Sequence, residues 1–207
     1  MQPSSTERTP KVSFADPTAT ILELDRLRET DSAVARRSVS QGLAALARTR
    51  PTLALSTAQR WLAEGGSHIE STVQRGLRPL VESRDDTALR IAGFAPSVAV
   101  RVVDLSIDDD HAPAFGTALH FSARVVSNET RAVPVLVEYR IEHRNDDGAW
   151  RYARGRLMTR TLDPLTDARI RRTHRLPRAP SSRWAPGPTR LVVGVNGRDL
   201  AAATFTL

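Results

Sequence analysis

The sequence predicts an α+β chain in two domains, a short all-α helical domain followed by an all-β sandwich. Three observations carry this expectation. Up to about residue 94, apolar side chains recur at helical spacing, as in Val39, Leu43 and Leu46. From Val98 onward the period shortens to two, as where Val135, Val137, Tyr139 and Ile141 alternate with Leu136, Glu138, Arg140 and Glu142. Between the two patterns, Ala95-Pro96-Ser97 breaks the composition. The expected division is a polar, disordered lead at 1–15, helices at 16–95 and a sandwich at 96–207.

The helical part begins at Asp16-Pro17, a cap followed by proline at the first helical position, and Ile21, Leu24 and Leu27 continue to about Arg28. Asp31 is the expected cap of a second helix, which turns Val34, Val39, Leu43 and Leu46 inward and Arg36 and Arg37 outward. Pro51 ends it, and Thr52 is expected to cap a third helix carrying Leu53, Leu55, Ala58, Trp61 and Leu62. Gly65-Gly66 breaks the chain. Ser67 and Glu70 have capping-box spacing ahead of a helix with Ile69, Val73, Leu77 and Leu80 on one side. Asp85 or Asp86 starts a short last helix to Phe94.

An internal repeat links these helices. Ser38-Val39-Ser40-Gln41-Gly42-Leu43 with Leu46 returns 34 residues later as Thr72-Val73-Gln74-Arg75-Gly76-Leu77 with Leu80. Glycines at equivalent positions let neighbouring helices approach closely, and helix pairs repeated at this period suggest a HEAT-like solenoid.

Beyond the break, strands are expected at 98–102, 119–125, 133–142, 157–162, 168–175, 190–195 and 199–207. Asn145-Asp146-Asp147-Gly148, Asp163-Pro164 and Asn196-Gly197 supply turns, the last being the strongest two-residue hairpin signal. Seven short strands in about 110 residues match an immunoglobulin-like sandwich.

Composition narrows the function. Cysteine is absent from all 207 residues, which removes disulfides, thiol nucleophiles and thiolate metal sites. There is no apolar run long enough to span a membrane, and the polar start lacks the apolar core of a secretory signal, so a cytoplasmic protein is expected. The five histidines, His68, His111, His120, His143 and His174, show no metal-ligand spacing, and Asp108-Asp109-Asp110 reads as a solvated turn. Neither a nucleophile elbow nor a glycine-rich phosphate loop is present, and no cofactor or metal is expected.

The net charge of +7 is arginine charge, with Lys11 the only lysine. Codon usage in a G- and C-rich genome also favours arginine, so placement says more than number. Residues 1–95 carry 13 basic against 11 acidic side chains, whereas residues 131–190 carry 14 arginines against 6 acids. A local excess of that size suits a phosphate-rich partner or, more simply, a solvated surface. Trp150 and Tyr152 stand between Arg144, Arg151 and Arg154, a pattern that fits base stacking beside phosphate contact and equally fits core filling. Arg169, Arg171, Arg172 and Arg175 flank His174 on one or both faces of a strand.

These last residues carry a family likeness. Arg172, His174, Pro186-Gly187, Val195-Asn196-Gly197, Leu200 and the terminal Phe205-Thr206-Leu207 occur in the order found in the AlkC-type DNA alkylation repair glycosylases. Val137-Glu138-Tyr139-Arg140-Ile141 resembles that family's central strand. Arg36-Arg37-Ser38-Val39, Arg60-Trp61-Leu62-Ala63 and Ala88-Leu89-Arg90-Ile91-Ala92-Gly93-Phe94 resemble its last helical repeats. The likeness covers about residues 30–207. It implies HEAT-like repeats ahead of a C-terminal immunoglobulin-like domain, here shortened at the N-terminus.

The departures shape the functional expectation. Where the family repeat has a tryptophan, two asparagines and an aspartate, this chain has Val34, Gln41, Gly42 and Ala45. Excision of a cationic base needs a carboxylate to stabilise the developing sugar cation, and no catalytic residue is assigned. The resemblance therefore implies DNA binding through the phosphate backbone, with Arg36, Arg37, Arg151, Arg154, Arg156, Arg160, Arg171, Arg172, His174, Arg175 and Arg183 as candidate contacts. It also implies a protein partner able to supply further helical repeats. The alternatives are a protein-interaction module using the sandwich edge or solenoid face, and an active alkylbase glycosylase.

Overall fold

In a computed structural model, residues 17–30, 32–108, 113–144, 148–181 and 184–207 are described. The chain divides into two compact units, with the division between Ala92 and Gly93. No described helix is long and apolar enough to cross a membrane.

The first unit holds α1 (Pro17–Arg28), α2 (Ala33–Thr49), α3 (Pro51–Glu64), α4 (Ile69–Gly76), α5 (Arg78–Glu82) and α6 (Asp86–Ile91). Leu24, Val39, Leu43, Leu46, Ala54, Ala58, Trp61, Val73, Leu77 and Leu89 form its buried interior. The repeated glycines do the work their spacing suggests. Leu24 of α1 lies over Gly42 of α2, and Leu43 of α2 lies over Gly76 of α4. A methyl group at either glycine would stand 2.5 Å from the leucine Cδ2, so hydrogen is the only side chain that fits without movement.

Trp61 is fully buried, and its indole N–H donates to Asp25 Oδ1 at 2.6 Å. Both Asp25 oxygens also accept from Arg60 Nη2 at 2.9 Å, while Glu64 accepts from Arg28 and Arg60. This network binds the end of α1 to the end of α3. It also holds the Arg60 guanidinium above its ordinary pKa, chiefly through the Asp25 bond.

The helix boundaries depart from expectation at their caps. Asp16 and Asp31 lie outside the described residues. Ser32 caps α2 by accepting from the amides of Val34 and Ala35. Val34, expected in the core, is 68% exposed. It sits five residues before Val39, out of phase with a stripe that begins at Ala35. Thr52 is not a cap, because Arg50 holds that position and Pro51 opens α3. The Ser67/Glu70 capping box does not form, because the cap position falls to His68 in a left-handed conformation with no side-chain bond. The helix expected through Leu80 ends at Gly76 and restarts at Arg78, where Pro79 lacks the amide needed to continue the ladder. Asp85 caps α6 as expected, accepting from Ala88 at 2.8 Å.

The second unit is the all-β sandwich. Its strands are β1 (Val100–Ile107), β2 (Ala118–Ser127), β3 (Val133–Arg144), β4 (Trp150–Leu162), β5 (Asp167–Arg175), β6 (Pro188–Val195) and β7 (Arg198–Thr206). They form two antiparallel sheets, ordered β1-β2-β5 and β4-β3-β6-β7. The expected immunoglobulin-like layering is present, with the fourth strand paired to the third instead of joining the first sheet. Inward residues of both sheets, among them Leu119, Phe121, Val125, Val135, Val137, Tyr139, Ile141, Leu191 and Val193, make one core.

The Asn196-Gly197 hairpin forms as its sequence demands. Both residues have positive φ, 48° and 82°, and Val195 pairs with Arg198 across them. The Asn196 side chain is fully buried, accepts from the Leu136 amide at 2.8 Å and donates to the carbonyls of Ala95 and Pro134. Trp184 stacks on buried His143, with ring centroids 4.4 Å apart.

Candidate nucleic-acid interface

The fold gathers most of the candidate arginines onto one side of the sandwich. β4 is one end strand of the four-stranded sheet and β5 one end strand of the three-stranded sheet, and the turn through Asp163-Pro164 joins them. The expected strand at 157–162 begins earlier, at Trp150, so Arg151, Arg154 and Arg156 are strand residues and not loop residues. Alternation then sorts the charges by face.

Arg154 and Arg156 pair in register with Arg140 and Glu138, and with them Trp150 and Tyr152 occupy the outer face of β4. Arg151 and Arg160 fall on the opposite register, in line with inward residues His143 and Val135, and are exposed because β4 has no further neighbour. On β5, Arg169, Arg171 and Arg175 face outward with Arg124, Ser122 and Ala118 of β2. Arg172 and His174 fall in line with the inward residues Phe121 and Leu119. Arg171 and Arg175 therefore share a face with each other and not with His174.

His174 is turned into the sandwich. Its Nδ1 lies 2.8 Å from the Tyr139 hydroxyl, with the two rings edge to face. Burial, and then the nearby Arg172 guanidinium, push the imidazole below its ordinary pKa of 6.5. Gly155 makes this contact geometrically open. A methyl group there would stand 2.5 Å from the Tyr139 ring, which passes beneath β4 on its way to β5.

The arginines differ in how they are engaged. Arg140 donates to Glu142 and Asp199 at 2.7 Å; these bonds outweigh burial and raise its pKa. Arg124 is likewise held by Asp104 and then Asp167. Among the described residues, Arg156, Arg160, Arg171, Arg172 and Arg175 have no carboxylate within ion-pair distance. Arg154 lies 5.9 Å from the ring centroid of Tyr152, and Arg144 lies 5.0 Å from that of Trp150.

Sequence spacing gave no sign of a shallow depression of about 510 Å³ on the outer face of the three-stranded sheet. It is lined by Ser106, Asp108, His120, Phe121, Ser122, Arg171, Arg172 and Thr173, with the Ser106 and Ser122 hydroxyls 3.0 Å apart and Thr173 Oγ1 3.0 Å from His120 Nδ1. Its members come from three strands, so only the pairing of β1, β2 and β5 brings them together. Arg36 and Arg37 belong to α2 in the helical unit, with Arg37 exposed and Arg36 half-buried. Arg183 lies outside the described residues.

A family model described as "Uncharacterised protein YhaZ, C-terminal Ig-like domain" matches residues 101–207. The chain belongs to this family. The Bacillus subtilis (strain 168) protein described as "Uncharacterized protein YhaZ" is 26% identical over 128 residues, which are 62% of this chain and 35% of that protein. A solved structure, Pseudomonas fluorescens alkylpurine DNA glycosylase AlkC bound to DNA containing an abasic site analog, superposes with a TM-score of 0.81 and 24% identity. The superposition covers 93% of this chain and 53% of AlkC, so the chain has the AlkC fold over about half of AlkC's length. This likeness bears out the helical-plus-immunoglobulin-like architecture that the motif order implied.

Proposed function

We propose that the β4–β5 side of the sandwich binds DNA through its phosphate backbone. One observation carries the reading. Arg156, Arg160, Arg171, Arg172 and Arg175 stand on two consecutive end strands without a described carboxylate partner, while Arg124 and Arg140 elsewhere on the sheets are bound to acids. A guanidinium held by a carboxylate has its donors occupied; an unpaired one offers a planar fork to phosphate. The AlkC structure contains DNA, which makes duplex DNA the first ligand to test.

The reading is a binding one and assigns no group to base excision. Arg36 and Arg37 are a second proposed phosphate contact, on α2. Affinity for a duplex should fall steeply with salt, with a log–log slope of about −0.9 for each phosphate neutralised. A gel-shift titration from low to physiological salt measures it. Affinity that is flat in salt would remove the proposal, and release of alkylated bases by the purified chain would replace binding by catalysis.

A further inference from the structure

The exposed aromatic pair on β4 has no role in phosphate contact. Trp150 and Tyr152 are 56% and 60% exposed, although burying such rings is among the largest apolar gains a fold can make. The sandwich core is complete without them. They occupy alternate positions on the outer face of one strand, so their Cβ atoms project the same way about 6.8 Å apart along it. That is about twice the ~3.4 Å rise between stacked bases, the gap that admits one planar ring between two others.

The surrounding charge identifies what such a gap accepts. From Ala149 to Leu162 the chain carries four arginines and no acid. Arg144, across the ladder from Trp150, packs against that indole at 5.0 Å, and Arg154, two residues beyond Tyr152, packs against the phenol at 5.9 Å. Each ring thus has a guanidinium against it, Arg144 from the neighbouring strand and Arg154 from farther along β4, cations that a chain's phosphates would meet. Glu142 stands across the ladder from Tyr152, but Arg140 and Arg190 hold its carboxylate. A cationic, aromatic strip suits a polyanion whose bases are free to stack, and a duplex hides its base faces.

We infer that Trp150 and Tyr152 form a stacking platform for an unpaired nucleotide of single-stranded DNA. This rests on the proposal that the β4 side binds DNA, and adds to it a preference for exposed bases. The test compares three fluorescein-labelled probes by anisotropy with the full chain: a thymidine 20-mer, the same phosphodiester length built from abasic residues, and a 20-base-pair duplex. The wild-type chain should prefer the thymidine strand to the abasic strand. Trp150→Ala and Tyr152→Ala should each weaken thymidine-strand binding about five-fold or more, with duplex and abasic binding unchanged. Trp150→Phe, which keeps a π-face, should retain most of the affinity. Equal losses on all probes, no loss on any, or no wild-type preference for bases over abasic phosphodiester would each overturn the platform and leave phosphate binding standing. A wild-type chain that binds none of the probes would overturn both.

Discussion

Tyr139 and His174 join the two sheets at their β4–β5 side, the phenol oxygen 2.8 Å from imidazole Nδ1. The tyrosine comes from β3 of one sheet and the histidine from β5 of the other, so this single bond crosses the sandwich. Replacing Tyr139 by Phe should cost about 1 kcal/mol in chemical denaturation, because the ring still packs on Phe121 and only the hydroxyl is lost.

The same pair makes stability depend on acidity. Burial and Arg172 hold the folded imidazole below its ordinary value of 6.5, so between the two values the unfolded chain binds more protons than the folded one. Stability therefore rises with pH through that window and is lost as pH falls below about 6.5. Denaturation midpoints measured from about pH 7.5 to 5 should fall for wild type and fall less for His174→Gln. Parallel curves for the two proteins would remove His174 as the cause.

Gly155→Ala should destabilise the sandwich by about 1–3 kcal/mol. The added methyl meets a buried aromatic ring that cannot bend away, at 2.5 Å from Cε1 and 2.8 Å from Cζ. Alanine at an exposed position of this end strand, such as Thr159→Ala, is the control and should change the denaturation midpoint little.

In the helical unit, Gly76→Ala should cost more than Gly42→Ala. At Gly42 the new methyl meets the far end of Leu24, whereas at Gly76 it also meets Leu43 Cβ and Cγ at 2.8 Å, atoms held close to the backbone of α2. Alanine favours a helix over glycine by up to about 1 kcal/mol, so a net loss at either site means that overpacking exceeds that gain. Thermal unfolding of the two variants gives the order; a more stable Gly76→Ala protein would contradict the packing.

For DNA binding, replacing Arg156 and Arg172 together by Gln should weaken duplex affinity and reduce the salt slope by up to about 1.8, while Arg140→Gln should leave the slope unchanged. Arg140 is already committed to Glu142 and Asp199 and serves as the control. A slope unaltered in the double variant would show that these cations do not touch phosphate.

The parts of this fold that were legible in sequence are those governed by neighbours. The Asn196-Gly197 hairpin, the alternation of β3, the Asp85 cap and the paired glycines each follow from local rules and all appear. Val34 was misplaced because the true stripe starts one residue later, a shift of about 100° around the helix. The β4 strand was cut short because an end strand need not bury both faces, and Trp150 to Arg156 show no inward alternation of apolar residues. The site was half legible. Local charge excess revealed the arginines, but which of them share a face depends on pairings set by distant strands. The sequence left Arg171, Arg175 and His174 on one or both faces of a strand; the register sets the two arginines outward and turns His174 toward Tyr139.

The cationic end strands carry a consequence for the protein as a solute. An uncovered strand offers a ladder of free amides and carbonyls on which a second copy can add by main-chain pairing. Of the four end strands, β4 and β5 bristle with like charge, so two molecules approaching along those edges repel before their backbones meet. Neutralising those side chains should make the chain self-associate, and light scattering of the Gln variants would rise with concentration sooner than that of the parent.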